Sequence, residues 1–422
     1  MIGTSRGLSP ARVVLPNGIT VIAKQTRRAP SVAISFAVRG GSSAEPPSAA
    51  GAMHLLSRVI DRGTKGRSAA EIADALDSRG LSLSCGASRH HLSLVCTCLA
   101  DDFEAVFRLM SEIVREPAIP ASELVTRKRE AVTSLRQDED NPAVRAVDAL
   151  LTLLYGAGHP YGRPVKGEID SVDGLTREDL LRLHAVRIAP SELCIVVVGD
   201  VDPSQVDAYA ASCLADWFVH PPPPVLFGPI PHLPGRQLLV IPMMNKAQAD
   251  IAYGFTSMRR DDPGYHAAWL MNNILGEYAM GGRLGDSIRE RQGMAYYVSS
   301  SLDAAPIEAP LIIRAGVSAA NVDRTLASMD VELAALRERG VTDRELAESK
   351  QYLIGSMPRA LETNLGIAQF LQGVEFFGLG LDYDLRLPDL LSGVTRADVL
   401  EAAAALDPSR AAVVVAGPYP PA

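Results

Sequence analysis

Two kinds of hydrophobic pattern run along the chain. Short runs rich in β-branched and aromatic residues, such as Ser31 to Val38 and Ala249 to Phe255, predict strands. Longer stretches with apolar residues three and four apart, among them Glu104 to Arg115 and Asn321 to Arg339, predict helices. Strands mixed with clustered helices, without a regular βαβ alternation, point to the α+β class. One block then occurs twice. Leu175-Thr176-Arg177-Glu178-Asp179-Leu180 is followed by a helical stretch and the apolar run Cys194 to Val198, closed by Gly199. Val394-Thr395-Arg396-Ala397-Asp398-Val399 is followed by an alanine-rich helix and Ala412 to Ala416, closed by Gly417. The Thr-to-Gly spacings agree to within one residue, so the chain is read as two copies of one fold.

Between the copies, Phe218-Val219-His220 leads into Pro221 to Pro224 and then Pro229, Pro231 and Pro234. Consecutive prolines neither continue a helix nor donate to a ladder, so an extended, stiff spacer is expected. The expected division is therefore an N-terminal domain over 1–217, a linker over 218–236 and a C-terminal domain over 237–422.

A length of 422 residues with 47% apolar and 21% charged side chains supplies enough material for more than one core. The formal charge of -8 and the lack of a basic cluster argue against nucleic acid as a partner. No window approaches the roughly 18 consecutive apolar residues of a membrane span, so no membrane partner is expected. The opening Met1 to Arg6 run lacks the apolar core of a signal peptide, so the chain as written reads as cytoplasmic, with a periplasmic location open if the natural chain begins earlier. The five cysteines show no metal-type spacing; Cys96 and Cys98 share one face of a strand and read as small buried hydrophobes.

Gly51 to Thr64 is helical by pattern, with Met53, Leu56, Val59 and Ile60 on an apolar stripe and His54, Arg58 and Asp61 on another face. Here the sequence resembles the pitrilysin/insulinase family of inverted zincins. In that family an H-x-x-E-H helix carries two zinc-binding histidines at i and i+4 with a general-base Glu between them. Of that set only His54 remains: Ser57 stands at the Glu position and Arg58 at the second histidine. A third ligand, a Glu on a later helix, maps onto Ser134 when the chain is aligned on the Asp140-Asn141-Pro142 turn, and a supporting Glu maps onto Arg127. The family's substrate-facing Asn-Ala maps onto Ser84-Cys85. Four coordinated losses leave no catalytic metal site of this type, and His54 reads as a lone helical histidine. His90 and His91, adjacent in a predicted strand, are expected to point to opposite faces, and His159 sits in a proline-glycine loop.

The second copy keeps more of the pattern. Gly276 to Leu284 and Ser287-Ile288-Arg289-Glu290-Arg291-Gln292-Gly293-Met294-Ala295-Tyr296 resemble the family's Gly-rich turn, with Gly281 and Gly282 at the substrate, and its R-E-x-x-G-L-x-Y signature. The resemblance implies two homologous domains, each a mainly antiparallel sheet packed with helices, forming half of a clamshell chamber. It also implies that Arg289 holds a substrate carbonyl while the Tyr296 hydroxyl donates to the oxyanion forming at the scissile carbon.

The favoured expectation is a non-zinc subunit of a heteromeric peptidase. It has no cofactor of its own, and it supplies Arg289 and Tyr296 to a homologous partner bearing H-x-x-E-H and zinc. The alternative is an inactive structural or peptide-binding homologue, such as a chaperone for a peptide. A self-sufficient serine hydrolase has little to build on, because Ser57 near His54 has no evident acid partner and no G-x-S-x-G element occurs. Metal analysis of the purified chain is expected to find no stoichiometric zinc; about one tightly held zinc per chain would overturn the reading of the first copy.

Overall fold

The computed structural model describes residues 7–277 and 282–420. The chain forms two compact units, each built from separated segments. One contains the residues up to Leu135, Pro164–Leu226 and Met357–Leu385; the other contains Arg136–Arg163, Phe227–Ser356 and Arg386 onward. Among the described residues no helix is long and apolar enough to cross a membrane.

The first unit holds a six-stranded sheet of β1 (Ala11–Val14), β2 (Thr20–Gln25), β3 (Ser31–Arg39), β4 (Leu83–Ala87), β5 (His91–Leu99) and β6 (Leu193–Gly199), in the order β1-β2-β6-β3-β5-β4. Only the β2–β6 pair is parallel; the others are antiparallel. The second unit repeats this without a counterpart of β1. Its strands β7 (Gln237–Pro242), β8 (Ala249–Thr256), β9 (Ala295–Leu302), β10 (Pro310–Val317) and β11 (Ala412–Gly417) run in the order β7-β11-β8-β10-β9, again with one parallel pair, β7–β11.

The duplicated blocks explain themselves in local chemistry. Thr176 and Asp179 form a reciprocal capping box at the start of the Arg177–Arg187 helix, and Thr395 and Asp398 do the same for the Arg396–Ala403 helix. The next residue locks each block in place: Arg177 Nε donates to the Ile119 carbonyl at 2.7 Å, and Arg396 Nε to the Val341 carbonyl at 2.7 Å. Each block ends in a glycine that geometry requires. Gly199 has φ +155° and a Cβ there would lie 2.2 Å from the Ser31 carbonyl oxygen; Gly417 has φ +144° and would meet the Ala249 Cα at 2.5 Å.

The central strands β6 and β11 are buried along their whole length, so both faces of each sheet need a cover. Along β6 the side chains alternate. Ile195 and Val197 enter the large core beside Leu55, Leu56 and Phe107, while Val196 and Val198 meet Ile367, Ala368 and Leu371 of the Asn364–Phe376 helix. In the second unit Ala412, Val414 and Ala416 meet Leu150, Leu151 and Leu154 of the Pro142–Tyr155 helix. Each covering helix thus comes from the other half of the sequence. Both start at a clear signal: the Asn141 side chain accepts from the Ala143 amide ahead of Pro142, and Thr363 accepts from the Gly366 amide. The compact units therefore cross the contiguous 1–217 and 237–422 division twice. The proline-rich stretch is extended as its composition demands, and its Phe227, Ile230 and Leu233 pack into the second unit.

The predicted helix at Gly51 is shorter than its pattern, spanning Ala52–Val59. Met53, Leu56, Val59 and Ile60 are buried, as are Cys96 and Cys98 on β5. His90 and His91 do not point apart. The strand begins only at His91, so His90 sits in the turn, and both rings reach Phe376, at centroid separations of 5.6 and 4.2 Å. Burial, with a nearby Arg89 for His90 and with His90 and Arg39 for His91, lowers both imidazoles to about 4.

Two outcomes are expected. Gly199→Ala and Gly417→Ala each destabilise the fold by about 1–3 kcal/mol in urea titrations, whereas Gly228→Ala, with open space around it, leaves the midpoint unchanged. The two histidines stay neutral in the folded chain while their unfolded forms bind protons below pH 6.5. Stability therefore falls as pH drops from about 6.5 and levels off near pH 4. A His90→Asn/His91→Asn chain should show a shallower acid slope; an unchanged slope would contradict the burial argument.

Candidate functional site

The positions onto which the resemblance maps a metal set lie on two helices of the first unit. Ala52–Val59 carries His54, Ser57 and Arg58, and Ala121–Glu139 carries Arg127 and Ser134. The shorter helix begins at Gly51, which has φ +88° and no side chain to cap with. The buried Glu45 carboxylate does that work, accepting from the Gly51 amide at 2.9 Å and from the Met53 amide. His54, half-buried, is therefore the third residue of a helix whose start is fixed.

The charged side chains of the two helices are paired with one another. Arg127 Nη1 contacts both Glu130 oxygens at 2.9 and 2.8 Å, and Arg58 Nη2 lies 3.5 Å from the same carboxylate. Glu123 stands 3.6 Å from Arg127 on its other side, and Lys166 Nζ donates to Ser134 Oγ at 3.3 Å. The Arg127 hydrogen bond, against a smaller desolvation, holds the Glu130 carboxyl below its usual range. Asp61, which the helical pattern puts on one face with Arg58, is not its ion-pair partner. The helix ends at Val59, and the Asp61 carboxylate pairs with Arg62 at 3.2 Å. Burial raises Asp61, with Arg62, Arg127 and Arg58 opposing. Ser57 is 2% exposed, and its hydroxyl donates to the His54 carbonyl of its own helix at 2.7 Å, which removes it as a nucleophile candidate. Two guanidiniums, a lysine and two hydroxyls do not make a divalent-cation site, and among the described residues no group of three His, Cys, Asp or Glu side chains converges on one point.

Ser84 and Cys85 lie on β4, the edge strand of the first sheet, with Ser84 exposed and Cys85 half-buried. Burial first, and Asp61 second, push the Cys85 thiol far above its usual range, so it is not a thiolate.

Arg289 and Tyr296 sit on consecutive elements of the second unit. Arg289 lies in a wide helical segment, Gly285–Arg291, with its Nε 3.0 Å from Glu290 Oε1. Gly293, at φ +60°, turns the chain, and the Met294 amide donates back to the Ile288 carbonyl at 3.1 Å. Tyr296 is the second residue of β9, the edge strand of its sheet. The pairing with β10 runs Gly316 to Tyr297 and then Val317 to Ala295, so Tyr296 has no opposite residue. This is a β-bulge, which turns a side chain out of the ladder, and Tyr296 is 85% exposed. Its neighbour Tyr297 is tied down instead, donating to Asp250 Oδ1 at 2.6 Å, with burial and that hydrogen bond raising its hydroxyl to about 12. Gly282 is buried against Leu275 and Gly276; Gly281 lies outside the described residues.

Sequence reasoning missed Glu130 and Lys166, which stabilise the locus without a metal. Glu130 carried a signal, three residues beyond Arg127 on one helix. The bulge at Tyr296 carried none.

Comparison with known proteins agrees with this geometry. Residues 20–166 match the profile of Insulinase (Peptidase family M16), and residues 174–353 match that of the Peptidase M16 inactive domain. An uncharacterized zinc protease of Mycobacterium leprae is 26% identical over 362 residues, covering 85% of this chain and 80% of that protein. "Probable inactive metalloprotease YmfF" of Bacillus subtilis is 23% identical over 311 residues, covering 71% of this chain and 70% of its own. The crystal structure of a peptidase M16 inactive domain from Pseudomonas fluorescens matches at a TM-score of 0.88 and 25% identity, covering 98% of each chain. A protease from Helicobacter pylori shares the fold at a TM-score of 0.89 and 16% identity, over 98% of this chain and 100% of that one. With two profiles of one family together spanning most of its length, the chain belongs to peptidase family M16.

Proposed function

We propose that this chain is the non-zinc subunit of a heteromeric zinc metallopeptidase that cleaves peptides in an enclosed chamber. A homologous partner bearing H-x-x-E-H supplies the metal, and this chain supplies Arg289 and Tyr296 to the bound peptide. Tyr296 is the observation that carries the reading. An aromatic side chain ordinarily buries a large apolar surface, yet this one stands 85% exposed on a bulge beside a tyrosine that is fully engaged. A ring held out in this way is explained if a peptide or a partner covers it. The hydroxyl can then donate to an oxyanion while Arg289 holds a carbonyl. Both edge strands, β4 with Ser84 and Cys85 and β9 with Tyr296, offer one open side to an extended peptide, which adds to such an edge through main-chain hydrogen bonds.

A second reading, a peptide-binding or structural homologue without a catalytic role, is favoured by the Arg58–Glu130–Arg127 network. That network fills the metal locus and leaves it balanced without a partner.

Purification from the native host followed by reconstitution separates the two. A co-purifying H-x-x-E-H protein of similar length is expected. Tyr296→Phe should lower the turnover of the reconstituted complex by about 10² to 10³, as for other oxyanion donors, with assembly and partner metal content intact. Arg289→Ala should raise KM as well, because it removes a contact already made in the bound substrate. If both variants assemble and turn over peptide at the wild-type rate, the peptide-binding reading replaces this one.

A further inference from the structure

The second copy contains its own counterpart of the lost metal locus, and there it is not filled. The helix Tyr265–Asn272 and its wide continuation Asn273–Glu277 lie in chain order between β8 and β9, as Ala52–Val59 lies between β3 and β4. Leu270-Met271-Asn272-Asn273-Ile274-Leu275 runs parallel to Leu55-Leu56-Ser57-Arg58-Val59-Ile60. The facing helix, Asp343–Ala360, corresponds to Ala121–Glu139. Each carries a lysine that donates to the residue before its capping box, Lys128 to the Leu175 carbonyl and Lys350 to the Val394 carbonyl. Lysine against lysine places Ser349 opposite Arg127, and Asn272-Asn273 opposite Ser57-Arg58.

In the first copy the matching positions carry Arg58 and Arg127, which pair with Glu130. In the second, the arginines are replaced by Asn273 and Ser349, and a cavity of about 560 Å³ remains, lined by Asn273, Ile274, Glu348, Ser349, Gln351 and Tyr352 among others. That volume is in the range of small-molecule sites. Asn273 is 1% exposed. Its Oδ1 accepts from Ser349 Oγ at 2.8 Å, but its Nδ2 finds no acceptor among the described residues. A buried amide donor left without a partner carries an appreciable free-energy cost, so its presence in a cavity wall needs a reason.

The remaining wall narrows the chemistry. Glu345 is already committed: burial opposes its ionisation, but Arg283, in a two-pronged contact at 2.7 and 2.9 Å, and Thr342 hold it at about 2. Glu348 pairs only with the outlying Arg344, in a contact whose side chains are 61% and 85% exposed, so it is free to turn toward a donor. The wall carries two carboxylates and one guanidinium, which disfavours an anion. Tyr352, more than a third exposed, and Ile274 provide apolar surface.

We propose that this cavity is a binding site for a carboxamide group, whose carbonyl accepts from Asn273 Nδ2 and whose N–H donates to Ser349 Oγ, Gln351 or Glu348. A free small amide and the backbone of a peptide share that chemistry. Neither the peptidase reading nor the fold assigns such a site, and its test needs no partner subunit.

Calorimetric titration of the full chain with benzamide, N-acetylalaninamide and benzoate tests the proposal. Saturable binding of at least one amide is expected, at least tenfold tighter than benzoate. The preferred amide identifies the source, a small aromatic amide or a peptide backbone. Asn273→Leu should weaken amide binding at least tenfold and should fold, since it replaces an unsatisfied buried amide with a side chain of similar volume. Tyr352→Ala, on the surface, should weaken benzamide severalfold without touching the core. The proposal is overturned if neither amide binds saturably, if benzoate binds as tightly as benzamide, or if both variants bind like the wild type.

Discussion

Everything in this fold follows from two strands that are apolar on both faces. β6 and β11 read as unbroken runs of apolar residues, LCIVVV and AVVVA before their closing glycines, and neither face of either can be left to water. One face of β6 is covered by helices of its own copy. The other is covered by a helix from the far half of the sequence, and β11 receives a helix from the first half in return. The duplication thus yields two units that exchange equivalent helices, and the contiguous copies of the sequence are not the compact units of the protein.

Against that common frame the two copies have diverged chemically. In the first, at the positions onto which the family resemblance maps metal ligands, Glu130 bridges Arg58 and Arg127. Arginine does not ligate a cation, but its ion pairs tie the two helices together. The second has no arginines at the matching positions, and its Asn273 and Ser349 leave room between the corresponding two helices. The residues that face outward, Tyr296 above all, depend on neither locus. They are set by a bulge and a glycine turn on an edge strand, well suited to holding a rigid aromatic group away from its own core.

What the sequence revealed was the chemistry that acts over a few residues. The capping boxes at Thr176 and Thr395 and the closing glycines at Gly199 and Gly417 are local requirements, so they mark the duplication plainly. The departures from H-x-x-E-H at Ser57 and Arg58 could be read for the same reason, since spacing on a helix is a short-range property. Partners across elements were not visible. Arg58 sits one turn before Asp61 in sequence yet pairs with Glu130 from another helix. The period-two argument for His90 and His91 failed because the strand starts one residue later than its pattern. Asn141-Pro142 and Thr363 announce that a helix begins, but nothing local says which sheet it will cover. The bulge at Tyr296 is a difference in register between two strands, which neither strand encodes alone.

The helix exchange also has a consequence for how this chain is made. The first sheet has all six of its strands once Gly199 has been synthesised, but the helix that seals its second face ends at Phe376. At translation rates of about 5–20 residues per second, that interval lasts roughly 10 to 35 seconds, during which an apolar sheet face has no native cover. Contacts spanning more than 300 residues, such as Asn364 to Ser31, close the unit last and at the entropic cost of a very long loop. The nascent chain is therefore a natural client for chaperones, and for a homologous chain able to lend the same helix.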